Sequence, residues 1–219
     1  MKNYAAILFD LDGTLADTAP DLSFTLNEML KARGLSPVPP ESVRAVASSG
    51  AGGLISKGFG IERNLEGFDD LRQEFLGIYQ ENLTRSSKLF SGIDKLLGRI
   101  EENNIPWGVV TNKAHRFTVP VLKGLEIFNR AACIVSGDST PYPKPHPAPL
   151  LQASKTIGVL PENCIYVGDD ERDIKAAKAA NMDSIVALYG YLGINNPPQS
   201  WGATTLIDKP NDLIKILGI

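Results

Sequence analysis

Two carboxylates, Asp10 and Asp12, follow the apolar run Tyr4-Ala5-Ala6-Ile7-Leu8-Phe9 in the string Asp10-Leu11-Asp12-Gly13-Thr14-Leu15. A continuous apolar run reads as a strand buried on both faces of a sheet, and the glycine-containing turn that ends it exposes what comes next. Residues at the carboxyl ends of parallel strands line the ligand crevice of open α/β sheets. Side chains alternate along an extended chain, so Asp10 and Asp12 are predicted to share one orientation and to converge on a cation or a phosphate. One aspartate in such a place is as readily a helix N-cap. The whole Asp-x-Asp-Gly-Thr-Leu string after a strand is not.

Three further strand ends carry polar groups. Trp107-Gly108-Val109-Val110 runs into Thr111-Asn112, a hydroxyl and an amide that can hydrogen-bond phosphate oxygens, although both are also ordinary turn residues. In Pro141-Tyr142-Pro143-Lys144-Pro145-His146-Pro147 a single lysine sits among prolines that stiffen its backbone, and a positioned ammonium beside carboxylates suits phosphate binding. His146 reads as a helix-start residue. Finally, Ile165-Tyr166-Val167-Gly168 delivers Asp169-Asp170-Glu171-Arg172-Asp173 at a glycine turn. Asp169 projects from that strand end and Asp173 falls in the first turn of the next helix. Mg²⁺ takes only a few protein oxygens and leaves the rest to water and substrate, so a small carboxylate set is sufficient.

The elements that position these groups follow from periodicity. Apolar runs at 107–110, 131–135, 164–167 and 184–188 read as further buried strands. Helical patterns at 92–103, 115–124, 147–157, 171–181 and 211–217 alternate with them. Such alternation predicts an α/β fold with a parallel sheet wrapped by helices. The rhythm breaks between the first strand and Gly92. Leu22, Leu26, Met29 and Leu30 mark one helix there, and Leu71, Phe75, Ile78 and Tyr79 another, with no convincing strand. Ser48-Ser49-Gly50-Ala51-Gly52-Gly53 reads as a flexible turn between helices. Residues 17–86 are therefore expected to form an inserted helical subdomain that covers the site as a lid, with 1–16 and 87–219 as the core. The alternative is a further helical layer packed on the sheet.

Bulk properties narrow the partners. A chain of 219 residues can bury a substantial core, and its net charge of −3, without a basic stripe, predicts no affinity for nucleic acid. Cys133 and Cys164 lack metal-type pairing and read as two buried reduced thiols. No apolar stretch reaches membrane-spanning length and no export-signal pattern opens the chain, so the expectation is a cytoplasmic protein without a membrane partner. No motif specifies an oligomeric state.

Taken together, Asp-x-Asp-Gly-Thr, then Thr, then Lys, then Gly-Asp-x-x-x-Asp resembles the haloacid dehalogenase superfamily of phosphotransferases over essentially the whole chain. The resemblance implies a Rossmann-like doubly wound core with a helical cap at 17–86. It implies that Asp10 is the nucleophile, forming an aspartyl-phosphate that water hydrolyses, and that Asp12 is the general acid and then the base. It also implies Mg²⁺ held by the carboxylates of Asp10 and Asp169 and the carbonyl of Asp12. Thr111, Asn112, Lys144 and the backbone amides after Asp10 hold the phosphoryl group. Asp173 orients Lys144 or a metal water. An anionic nucleophile attacking an anionic phosphoryl group needs charge cancellation, which a metal and Lys144 supply.

Within that superfamily the chain is similar to the phosphoglycolate phosphatase-like group and to bacterial N-acetylmuramic acid 6-phosphate phosphatases. The likeness rests on Trp107 to Lys113, on Gly168 to Ile174, and on Tyr189-Gly190-Tyr191 with Trp201-Gly202-Ala203. Ala114 stands where a proline is expected, and Gly193-Ile194-Asn195-Asn196 departs from the usual His-Pro loop. The implied substrate is a small phosphorylated metabolite, either a phosphosugar such as N-acetylmuramic acid 6-phosphate or 2-phosphoglycolate. Ser48, Ser49 and Gly50 are the candidate cap contacts, while Tyr191 and Trp201 read as packed aromatics. A phosphomutase of the same architecture is the nearest rival. A receiver-type phospho-acceptor module is opposed by the first-strand position of Asp10 and by the inserted helices.

Overall fold

The computed structural model describes residues 3–192 and 196–219; Gly193, Ile194 and Asn195 of the departing loop lie outside the described residues. The elements run β1 (Ala6–Phe9), β2 (Ala16–Asp17), α1 (Ala19–Ala32), α2 (Pro40–Arg44), α3 (Gly50–Phe59), α4 (Phe68–Glu81), β3 (Lys88–Leu89), α5 (Ile93–Glu102), β4 (Trp107–Val110) and α6 (His115–Gly124). They continue with β5 (Cys133–Val135), α7 (Ala148–Ile157), β6 (Cys164–Gly168), α8 (Glu171–Ala179), β7 (Asp183–Ala187), β8 (Thr205–Ile207) and α9 (Asn211–Leu217).

Six strands form one parallel sheet in the order β5-β4-β1-β6-β7-β8. β1 is fully buried and central because its side chains face apolar layers on both sides. Ile7 and Phe9 pack with Trp107, Val109, Ile165 and Val167, while Ala6 and Leu8 pack with Val135, Cys164 and Tyr166. The helix α5 shows the matching logic: Ile93, Leu96, Leu97 and Ile100, spaced to lie on one face, are all buried against the first of these layers. Chain order reverses around β1, so the ends of β1, β4 and β6 open onto the crevice where such sheets bind ligands. Both cysteines are buried free thiols, as expected. No helix is long and apolar enough to cross a membrane.

The helices between β2 and β3 bury a separate apolar cluster that includes Leu26, Met29, Leu54 and Phe75, joined from the sheet side by Phe117 and Tyr191. Two expectations for this interval are corrected. Strands do occur at its borders: β2 and β3 pair antiparallel, Ala16 with Leu89 and Asp17 with Lys88. Two-residue strands have no periodicity to read, and their pairing is set by residues distant in the chain. Near the same junction, Asp21 accepts hydrogen bonds from the amides of Ser86 and Ser87 at 2.7 and 3.0 Å, tying entry to exit.

The second correction is at Ser48 to Gly53. These residues are a 3₁₀ turn over Ala47–Ser49 followed directly by the first turn of α3. Packing overrides the low helix propensity of glycine here. Leu54 and Ile55 are fully buried in the apolar cluster, and Gly52 lies against the Arg63 guanidinium, 3.0 Å from where a Cβ would stand.

Candidate active site

Asp10 is the first residue past β1, and its amide is still held by the Val167 carbonyl of β6. Its Oδ1 accepts from the Leu11 amide at 2.7 Å and lies 3.0 Å from the Lys144 Nζ, leaving Oδ2 free of these partners. Lys144 is itself buried. Its ammonium also meets Asp173 at 2.7 Å, the Val110 carbonyl at 3.0 Å and the Tyr166 hydroxyl at 2.7 Å. Burial alone would lower the lysine pKa, but Asp10 and Asp173 outweigh it and hold the ammonium protonated. For Asp10 burial raises the carboxyl, Lys144 pulls it back, and Asp173 and Asp12 add repulsion; the balance pushes it up to about 7.

Asp169, at the end of β6, is fully buried and receives only neutral donors among the described residues: Thr14 Oγ1 at 3.0 Å and the Tyr191 amide at 2.8 Å. Burial first, then repulsion from Asp10 and Asp173, pushes its carboxyl well above the ordinary carboxylate range. Gly13 is required beside it. The residue has φ +85°, and a Cβ there would stand 2.0 Å from Asp169 Oδ2. Carboxylate oxygens of Asp10, Asp169 and Asp173 lie within 4.8 Å of one another. A buried carboxylate with no cationic partner, facing a second one, fits a hard divalent cation with oxygen ligands.

Asp173 is less available than Asp169. Its Oδ2 accepts from the amides of Asp169 and Asp170 at 3.1 and 3.0 Å, completing a capping box at the start of α8, and its Oδ1 holds Lys144. Asp12 is turned elsewhere. Its Oδ1 takes the Lys113 ammonium at 2.8 Å and the Thr18 hydroxyl at 2.5 Å.

The expected phosphate ligands divide. Thr111 accepts from the Lys113 amide at 3.2 Å, which leaves its own hydroxyl proton to donate. Asn112 is different: its carboxamide donates to the Lys144 carbonyl at 2.8 Å and accepts from the Lys144 amide at 2.9 Å. The side chain clamps the loop that carries the lysine. In the turn after Asp10, the Leu11 amide is spent on Asp10 and the Gly13 amide on the Ala16 carbonyl, so the turn does not offer all its amides to a ligand.

A cavity of about 610 Å³ lies over these groups. Asp10, Asp12, Thr111, Asn112, Lys144 and Asp173 line it from the sheet side, and Ser48, Ser49 and Gly50 from the inserted helices. Asp169 lies buried behind this surface. Arg172 joins the two walls: it holds Asp170 through two nitrogens and donates to the Ser48 carbonyl. Tyr191 and Trp201 are buried, the former with its hydroxyl accepting from the Thr18 and Ala19 amides at 2.7 and 2.9 Å.

Residues 7–187 match the model of the haloacid dehalogenase-like hydrolases. The chain belongs to that family. An N-acetylmuramic acid 6-phosphate phosphatase from Pseudomonas putida is 41% identical to this hydrolase over 97% of the chain and 95% of its own length. A phosphoglycolate phosphatase from Xylella fastidiosa is 43% identical over 94% and 89%. Among solved structures, a predicted phosphoglycolate phosphatase from Haemophilus somnus superimposes with a TM-score of 0.87 at 30% identity, covering 99% of each chain.

Two charged side chains of the hydrolase to which the motifs assigned no role also stand at the cavity. Lys113 pairs with Asp12 and lies 5.0 Å from the centre of the Tyr79 ring of α4. Its position directly after Thr111-Asn112 was the available signal, since a strand end that presents two consecutive polar residues presents the third as well. Arg172 sits inside the last motif, where charge near a helix start masks a contact across the cavity.

Proposed function

We propose that this chain is a Mg²⁺-dependent phosphomonoester hydrolase working through an aspartyl-phosphate on Asp10. The observation that carries the reading is the placement of Asp10 Oδ1 3.0 Å from the Lys144 ammonium on the wall of the cavity, with Asp169 behind it and without a cationic partner among the described residues. The Asp10 and Asp169 carboxylates and the Asp12 carbonyl would hold Mg²⁺, which when bound neutralises charge on the phosphoryl oxygens and relieves the carboxylate crowding.

The residues of the chain then divide the work. Asp10 Oδ2 forms the bond to phosphorus as the ester P–O bond breaks, while Lys144 and the Thr111 hydroxyl neutralise or hydrogen-bond the phosphoryl oxygens. Asp12 gives a proton to the leaving alkoxide, then takes one from the water that cleaves the acyl-phosphate. Thr18 and Lys113 hold its carboxylate in position for both transfers. Asp173 and Asn112 position Lys144, the first through its ammonium and the second through its backbone.

Residues 17–86 act as the cap over a core of 1–16 and 87–219, with Ser48, Ser49 and Gly50 as its contacts to substrate. A small phosphosugar such as N-acetylmuramic acid 6-phosphate is the substrate favoured by the cavity volume, which lies in the range that takes a drug-sized ligand. The second reading, 2-phosphoglycolate, is supported by the name of the Xylella relative. Phosphate release from a panel of both compounds and hexose phosphates, ranked by kcat/KM, tests the proposal. Asp10→Asn is expected to abolish release without unfolding the protein. A near-native rate in that variant, full activity in EDTA, or an isomerised sugar phosphate in place of inorganic phosphate would each overturn its part of the mechanism.

A further inference from the structure

The arginines of this chain separate into two groups. Arg33, Arg44, Arg99, Arg130 and Arg172 each hold a carboxylate. Arg63, Arg72, Arg85 and Arg116 hold none among the described residues, and all of these except Arg85 line the cavity that contains Asp10. Arg85 instead stacks on the Phe24 ring. Three of these four guanidinium groups thus line the one cavity.

Their origins differ. Arg63 follows α3 and lies against Gly52, Arg72 belongs to α4, and Arg116 opens α6 on the sheet side with its guanidinium over the Phe117 ring at 4.6 Å. Asp69, which also lines the cavity, pairs with none of them. In the proposed mechanism none of these arginines holds the phosphoryl group, whose charge is met by Lys144 and the metal and whose oxygens take a hydrogen bond from Thr111. A guanidinium presents a planar fork that matches a carboxylate through two parallel hydrogen bonds.

We infer that Arg63, Arg72 and Arg116 form a second anion subsite, which reads a carboxylate carried by the substrate in addition to its phosphate. The inference rests on the phosphomonoesterase reading and adds the residues that choose among esters. Because Arg116 comes from the core and the other two from the inserted helices, a bound carboxylate also links the two walls of the cavity.

The test compares two esters that differ only in this group: N-acetylmuramic acid 6-phosphate and the same N-acetylhexosamine 6-phosphate without the lactyl carboxylate. The parent protein is expected to prefer the carboxylated ester by about tenfold or more in kcat/KM. Arg72→Gln and Arg116→Gln should each reduce that ratio through KM, and the double variant should bring it near unity. A parent ratio near unity, or a ratio preserved in the double variant, would overturn the subsite. Calorimetric binding of the same two esters to Asp10→Asn protein reads the subsite without turnover. There, an arginine-dependent preference supports it even if hydrolysis fails, whereas equal binding of both esters refutes it while leaving the phosphatase assignment standing.

Discussion

Lys113 and Asp12 form an ion pair of 2.8 Å with the side chains only 9% and 19% exposed, and the ammonium stands over the ring of Tyr79 from α4. The Asp12 carboxylate is thereby joined to α4 through one lysine of the sheet side. Burial lowers the lysine pKa, but Asp12 and the Tyr79 hydroxyl more than offset this, so the ammonium stays protonated.

Lys113→Gln leaves the Asp12 carboxylate without its cation. Breaking a largely buried pair costs about 3 kcal/mol, read as a lowered denaturation midpoint. Loss of a positioned proton-transfer group lowers kcat about 100-fold with a smaller change in KM. Unchanged kcat in a folded Lys113→Gln protein would remove the lysine from the positioning of Asp12.

Metal-free protein should lose stability as pH rises. Asp10 and Asp169 have folded pKa values above their unfolded ones, so between pH 4 and about 7 the folded state binds more protons than the unfolded state and stability falls. The slope is on the order of 1.4 kcal/mol per pH unit for each group titrating. Melting temperatures in EDTA are expected to drop across this window. Added Mg²⁺ should restore more at pH 8 than at pH 5, and Asp169→Asn should flatten the profile and abolish the Mg²⁺ gain. A melting temperature in EDTA that rises from pH 5 to pH 8 would contradict the assignment.

Asp173→Asn tests the support of Lys144. The variant loses the 2.7 Å ion pair and weakens the capping box of α8. Loss of the cap costs about 1 kcal/mol. Removal of a buried countercharge adds more. Chemical denaturation should show the combined loss, and kcat should fall by about 100-fold while Mg²⁺ still stabilises the protein. If Mg²⁺ stabilisation disappears instead, Asp173 is a metal ligand.

Arg172→Gln removes the bond to the Ser48 carbonyl while leaving the strand-end carboxylates in place. KM is expected to rise about tenfold with a smaller change in kcat, because the tie between the two walls of the cavity is lost. A change in kcat alone would place Arg172 in the chemistry.

Much of the fold was legible because burial leaves a period. The unbroken run of β1, the spaced apolar residues of α5 and the strand-helix alternation after residue 92 all correspond to the observed elements. The elements that escaped have no period to leave. β2 and β3 are two residues each, β8 is three, and the glycine-rich start of α3 is helical only because Leu54 and Ile55 anchor it in the cluster of the inserted helices. At the site, Asp10, Thr111 and Lys144 were identifiable from residue type at a strand end or on a stiff loop. Asn112 was not separable from Thr111, since whether its amide meets a phosphate or the backbone of Lys144 depends on a loop 32 positions away.

The sequence by itself determined which chemical groups stand at the ends of β1, β4 and β6, because strand burial forces polar residues out at the turns. Only the tertiary structure decided how those groups share their bonds: Lys113 to Asp12, Asn112 to the Lys144 backbone, Lys144 between Asp10 and Asp173, and Asp169 to the Thr14 hydroxyl and the Tyr191 amide. Partner choice among buried charges depends on distances between residues far apart in the chain, and no local pattern encodes those distances.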